Sequence, residues 1–207
     1  RTCHEIHTDY EAADYALTST GAVTLMAGGT FDITALSDDA SAAGNLCANC
    51  HQARDDGVDL TADSVTIGSF RLGYHHGTQA NVLSGQTAED LPGFAMPTGG
   101  AFGSHVQFGC DGCHMQEPVG ATAGGHTWNM LDGGDILVPG DGSCEPCHSG
   151  DTPFAGQSTQ ADVQVLLDST AVLLRAAGIM QADPSTYAVE ATFDSDLVAA
   201  FLNFKLM

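Results

Sequence analysis

Cys47-Ala48-Asn49-Cys50-His51, Cys110-Asp111-Gly112-Cys113-His114 and Cys144-Glu145-Pro146-Cys147-His148 are three copies of one pentapeptide, Cys-x-x-Cys-His. Each reads as a covalent attachment site for a c-type haem: the two thiols add to the haem vinyl groups, and the histidine that follows is placed to bind iron from one face. One such motif is compatible with half of a zinc site or with a pair of disulfide-forming cysteines. Three, each followed at once by histidine, favour haem. The chain opens Arg1-Thr2-Cys3-His4, which reads as the tail of a further motif whose first cysteine would sit just before Arg1. The count of seven cysteines fits three pairs plus one. The competing readings are a free thiol beside an unrelated histidine, or a haem held by one thioether. Four covalently attached c-type haems are the expectation, with Cys3, Cys47, Cys50, Cys110, Cys113, Cys144 and Cys147 as the attached thiols.

With 207 residues, four haems leave roughly 50 residues each, so much of the apolar core is expected to be porphyrin. The expected fold is mostly irregular and haem-cored, with short helices, a β-hairpin and C-terminal helices. The 25 glycines suit backbone that must pass close to flat macrocycles. Covalent haem attachment takes place outside the cytoplasm, so an export signal is expected to have been removed, and the location is extracellular or, as the alternative, periplasmic. Val163 to Met180 is the most apolar stretch, but Asp168 and Arg175 break it, which predicts no membrane insertion.

The net charge of -21 comes from 26 acidic residues against five basic ones. That balance excludes the basic footprint of a nucleic-acid binder and disfavours adhesion to anionic lipid. It reads as a solvated, repulsive surface. Carboxylate clusters at Asp38-Asp39, at Asp55-Asp56 with Asp59, and at Asp132 with Asp135 also suggest Ca²⁺ or Mg²⁺, although none has the spacing of an EF-hand loop.

Residues 22–34 read as a hairpin around Ala27-Gly28-Gly29, and residues 64–72 alternate like a strand. An Ala-containing stretch within residues 1–19 suggests a short helix. Asp38 to Gly44 reads as a polar loop, and Leu91 to Gly103 as irregular chain. Ser158 or Thr159 is expected to cap a helix running to about Ala177 and stopped by Gly178. A second helix is expected from Ser195 to Met207, with Leu197, Val198, Phe201, Leu202 and Leu206 on one face. Residues 1–157 are expected to bind haem, and 158–207 to form a helical segment of the same domain.

Four of the nine histidines are proximal ligands by motif: His4, His51, His114 and His148. The other five, His7, His75, His76, His105 and His126, are candidates for the opposite axial position. His7 would have to serve another haem or another subunit, because it lies three residues from His4. All-histidine ligation predicts low potentials and leaves no open position for a substrate. The chain is therefore expected to be an electron carrier and not an enzyme; no catalytic constellation and no Lys-containing haem motif is present.

The run Tyr74-His75-His76-Gly77-Thr78-Gln79-Ala80-Asn81 is followed by Ser104-His105, Cys110 to His114, Gly124-Gly125-His126-Thr127 and Cys144 to His148. This order, over about residues 1–150, resembles the OmcE-like tetrahaem cytochromes that polymerise into extracellular nanowires. The end of the chain, Ala199 to Lys205, is similar to a late helix of multihaem cytochromes; there the chain often runs on to a further histidine segment, which implies continuation past Met207. The resemblance implies that His75 and His76 serve two different haems. It implies closely packed haems in stacked and T-shaped pairs, and one axial histidine that crosses between protomers. The implied partners are copies of the chain in a helical filament and redox proteins or extracellular acceptors. A discrete soluble tetrahaem shuttle, steered by its charge, is the alternative. The strong acidity departs from easy stacking, because like charges must then be screened or bridged.

Overall fold

The computed structural model describes residues 3–5, 11–54, 58–74, 77–86, 88–95, 103–132, 135–136, 155–182 and 187–207. The chain forms two compact units interleaved in sequence: residues 1–23, 32–49 and 102–161 make one, and residues 24–31, 50–101 and 162–207 the other. The division falls between Asn49 and Cys50, inside a Cys-x-x-Cys-His motif. It does not follow the expected linear partition at residue 157.

The first unit is built from short pieces. They are a 3₁₀ turn at Ala12–Tyr15, helix α1 (Ile33–Leu36), helix α2 (Ala43–Ala48), a 3₁₀ segment at Gly103–Phe108, helix α4 (Asp111–His114) and a 3₁₀ turn at Gly125–Thr127. Strands β4 (Leu131–Asp132) and β5 (Asp135–Ile136) pair antiparallel. α1 starts at Asp32, whose carboxylate accepts from Thr34 N, an N-cap that satisfies a donor left over in the first turn. Asn45 ties α2 to it. The Asn45 carbonyl accepts from Ile33 N at 2.8 Å, and its amide donates to Thr20 O and to Asp32 Oδ1, both at 3.0 Å. The described buried apolar residues here are few and mostly small: Val23, Ile33, Ala40, Ala48, Val106 and Ala123.

The second unit holds the larger core. Helix α5 (Ala155–Ala176) enters it at Asp162, and helix α6 (Ser195–Leu206) closes the chain. Val198, Phe201, Leu202 and Leu206 on one face of α6 pack with Ala171 and Leu174 of α5, and with Val65, Ile67, Leu72, Tyr74 and Ile179. The spacing of the α6 residues is that of a single buried stripe. Asp194 caps α6 through Asp196 N. α5 begins at Ala155, about a turn before the expected Ser158, and is followed by Gly178 in the left-handed region, at φ +83. The expected hairpin is present as β1 (Val23–Thr24) and β2 (Thr30–Phe31). The strand expected over 64–72 is confined to β3 (Ser64–Thr66), because its partner β6 (Thr192–Asp194) runs antiparallel beside those residues only, with Val65 opposite Phe193. The polar loop expected to run to Gly44 ends earlier, as α2 is under way at Ala43. Helix α3 (Gln79–Ser84) was not expected; it ends on Gly85 in the left-handed region at φ +64.

No helix among the described residues is long and apolar enough to cross a membrane.

Candidate haem sites

His4, His51 and His114, the described proximal histidines, share one feature: the Nδ1 atom of each is hydrogen-bonded to a carbonyl oxygen. His4 bonds to Tyr15 O at 2.7 Å, His51 to Gln79 Oε1 at 3.2 Å, and His114 to Trp128 O at 3.0 Å. A carbonyl can only accept, so Nδ1 carries the proton and Nε2 keeps its lone pair. That is the tautomer of a metal-binding imidazole whose orientation is held by a partner behind it. The five described cysteines, Cys3, Cys47, Cys50, Cys110 and Cys113, are free thiols. Thiols beside oriented imidazoles are the donor set a c-type haem needs.

Around His51 the second unit builds a supporting frame from the segment that follows the paired histidines. His51 O accepts from Ala80 N at 2.9 Å, and Ala53 N donates to Asn81 Oδ1 at 2.7 Å. Gly77 has φ +69, and a Cβ there would stand 3.1 Å from Cys50 O and 3.4 Å from His51 Cα. Only glycine fits both the backbone conformation and the close approach. Gly77 thus lets the Gly77–Asn81 run lie directly on Cys50-His51. His75 and His76 themselves lie outside the described residues, as do His7, Cys144, Cys147 and His148.

In the first unit the turn Gly124–Asn129 does two things. Its Trp128 carbonyl holds His114, and it presents His126 beside His4, with ring centroids 6.0 Å apart and planes tilted by 40°. Two imidazoles that share a metal at about 2.0–2.1 Å per bond have ring centres roughly 6 Å apart. His4 and His126 are thus near enough that the two imidazoles would be able to hold one metal ion between them. The turn is braced by Gly125 N to Gln116 O and Gly124 N to Asn129 O, both 2.8 Å, and the Trp128 ring stands edge-on to His126. Trp128 is the one described non-glycine residue with positive φ, at +59. His105 is exposed on the 3₁₀ segment that leads into Cys110.

The thiols of Cys47 and Cys110, from two different motifs, hydrogen-bond to each other. That contact pushes the Cys47 pKa down to about 7 and, with burial, the Cys110 pKa up. Both sit against α2, with Cys110 Sγ 3.9 Å from Gly44 O and Cys47 Sγ 4.0 Å from Ala43 O.

Sequence reasoning had no means of finding Gln79, Tyr15 or Trp128. Two act through a backbone carbonyl, which every residue has, and Gln79 is identified only by what it touches. Of the carboxylate clusters, Asp55-Asp56 and the side chains of Asp132 and Asp135 lie outside the described set. Among the described residues no group of three or more His, Cys, Asp or Glu converges as a metal site. Asp59 instead accepts from Thr61 N in a local turn.

Comparison with protein-family models, with curated proteins and with solved structures finds no match to this chain.

Proposed function

We propose that the chain is a multihaem c-type cytochrome that carries electrons outside the cytoplasm, as the protomer of an extracellular filament. The observation that carries the haem reading is the common Nδ1-to-carbonyl hydrogen bond of His4, His51 and His114, each following a motif thiol. Three unrelated pieces of chain reach the same solution, which chance surface histidines do not require. Cys3, Cys47, Cys50, Cys110, Cys113, Cys144 and Cys147 would hold four haems, with His4, His51, His114 and His148 as proximal ligands. Bound haem would supply reversible one-electron chemistry at iron. The chain's own part is to hold, orient and space those groups.

Contiguity supports transfer over catalysis. His126 faces His4, its own turn holds His114, and Cys110 of the His114 motif touches Cys47 of the next. The motif residues thus follow one another in space in the order His4, His114, Cys47. Among the described residues of the unit that contains them, buried apolar side chains are few and mostly small, which would suit a core completed by porphyrin.

The filament form rests on the resemblance of residues 1–150 to nanowire cytochromes. The net charge of -21 favours the second reading, a discrete soluble shuttle, since it opposes self-association. Intact mass and a pyridine haemochrome assay on the native protein should give four haems per chain. A haem-free chain would end the cytochrome reading. Electron microscopy of native material then separates filament from dispersed shuttle.

A further inference from the structure

Four of the five cationic side chains in the whole protein, Arg54, Arg71, Arg175 and Lys205, line one cleft of about 1060 Å³ in the second unit. In a chain with 26 acidic residues, the one acidic side chain among the described residues lining this cleft is Asp168, which already accepts from Gln164 at 2.9 Å. Cations on so acidic a chain have carboxylates available all round. Among the described lining residues four cations stand against one carboxylate, a local positive charge inside a negative molecule that concave walls focus.

Two details at Arg175 and Lys205 point to room for an added acceptor. Arg175 Nε is buried without a hydrogen-bond partner, and so bears the desolvation cost of a bond not made. Lys205 is half-buried, and burial alone pushes its ammonium pKa down. An anion seated against both would relieve each. The volume is too large for an inorganic ion and lies near the upper end of organic-ligand pockets, about 300–1000 Å³. Tyr187 and Phe204 add aromatic wall.

We infer that this cleft is a binding site for an organic polycarboxylate: two or more carboxylates on one apolar body, gripped by Arg175 and Lys205 with Arg54 and Arg71 at the exposed side. Arginine forks match carboxylates in two-point contacts, and the lysine adds a compact charge. Such a ligand has two sources. One is a free small molecule. The other is the propionate pair of a haem attached to the chain, since Arg54 lies three residues after His51 and Tyr74, beside His75, also lines the cleft. The second source rests on the cytochrome reading; the anion chemistry does not.

The test uses native protein with its haem content measured first, so that failure of the haem reading is seen separately. Calorimetric titration with benzene-1,3,5-tricarboxylate is compared with the uncharged tricarboxamide, in low and high salt. Spectroelectrochemistry is run on the same samples, with Arg175→Gln and, as an exposed variant that leaves the interior intact, Arg54→Gln. Salt-sensitive binding of the tricarboxylate alone, weakened about tenfold or more in both variants, supports a free ligand. No binding to wild type, together with a fall in the potential of one haem in both variants, supports propionates as the occupant. Binding that ignores the variants, or neither binding nor a change in potential, overturns the proposal. If the protein carries no haem, the titration alone decides.

Discussion

If His4, His51 and His114 bind haem iron as proposed, the carbonyl behind each imidazole would set how strongly it donates to the metal. Gln79 is the one such partner that is a side chain, so it can be changed without moving backbone. Gln79→Leu removes the acceptor of His51 Nδ1 and makes that imidazole a weaker donor. Weaker donation favours the reduced iron. One haem of the set should rise in potential by a few tens of millivolts, the equivalent of a hydrogen bond of about 1 kcal/mol. Redox titration followed by visible spectroscopy resolves this; unchanged potentials would show that Gln79 does not orient a ligand. Asn45 is the corresponding residue for the scaffold. It is 1% exposed and bonds to Ile33, Thr20 and Asp32 at once. Asn45→Ala leaves Ile33 N buried and unpaired and should cost about 2–3 kcal/mol by denaturant unfolding. Asp32 adds a pH signature. Hydrogen bonds from Asn45, then Thr34, hold its carboxyl below the usual 3.8. A depressed folded-state pKa contributes stability above the unfolded value, and that contribution is lost as pH falls through the folded one. The variant should therefore lose less stability than wild type between about pH 4 and the folded-state pKa. Nothing in the sequence announced Asn45, because its role depends on Thr20 and Asp32 arriving from elsewhere in the chain. The thiols and motif histidines could be singled out from sequence because the proposed covalent attachment would demand them at fixed spacing.

Short elements carry the ligands, and glycines decide their geometry. The Gly124–Asn129 turn is the clearest case. Gly124 has φ +70, and a Cβ there would meet Glu117 O, Gln116 O and the Glu117 carbonyl carbon, all at 3.0 Å or less. Gly124→Ala must therefore push the turn off Gln116-Glu117, at a cost of about 2–3 kcal/mol, and move His126 with it. Haem attachment should survive, since no thiol is touched. If His4 and His126 hold one haem iron, as proposed, that iron would lose a ligand and show a ferric high-spin signal in electron paramagnetic resonance. His126→Ala should give the same signal without the loss of stability. A fully low-spin spectrum in both variants would break the pairing of His126 with His4. The sequence placed His126 next to a glycine pair but could not say which iron it faces, because that depends on a contact across more than a hundred residues. Periodicity served better at α6, which follows its apolar stripe and its start signal; in α5 the C-terminal stop at Gly178 was legible, while Val165, Leu166, Val172 and Leu173 are exposed. It failed at α3, six residues long and hidden behind the paired histidines, and at β3, where alternation continued past the end of the partner strand.

For the molecule as a whole, charge is the quantity that decides between filament and shuttle. Each copy carries a formal charge of -21, and haem propionates would add to it. Two such copies brought together repel strongly unless counterions lie between them, and the reach of that repulsion shrinks from about 30 Å at 0.01 M salt to about 8 Å at 0.15 M. The four-cation cleft offsets only a small part of it, and only locally. A filament of this chain should therefore be salt-dependent: dispersed near 0.01 M monovalent salt, and assembled as ionic strength rises or as a few millimolar Mg²⁺ is supplied. Divalent ions should act at far lower concentration than monovalent ones if carboxylates of neighbouring copies are bridged, and at matched ionic strength if screening alone is at work. Light scattering across both series, with electron microscopy at the end points, separates these cases. Particles that stay dispersed at every salt and Mg²⁺ concentration would remove the filament reading. The haem-site geometry would then belong to a soluble carrier, whose association rate with a basic redox partner should fall steeply with the same salt.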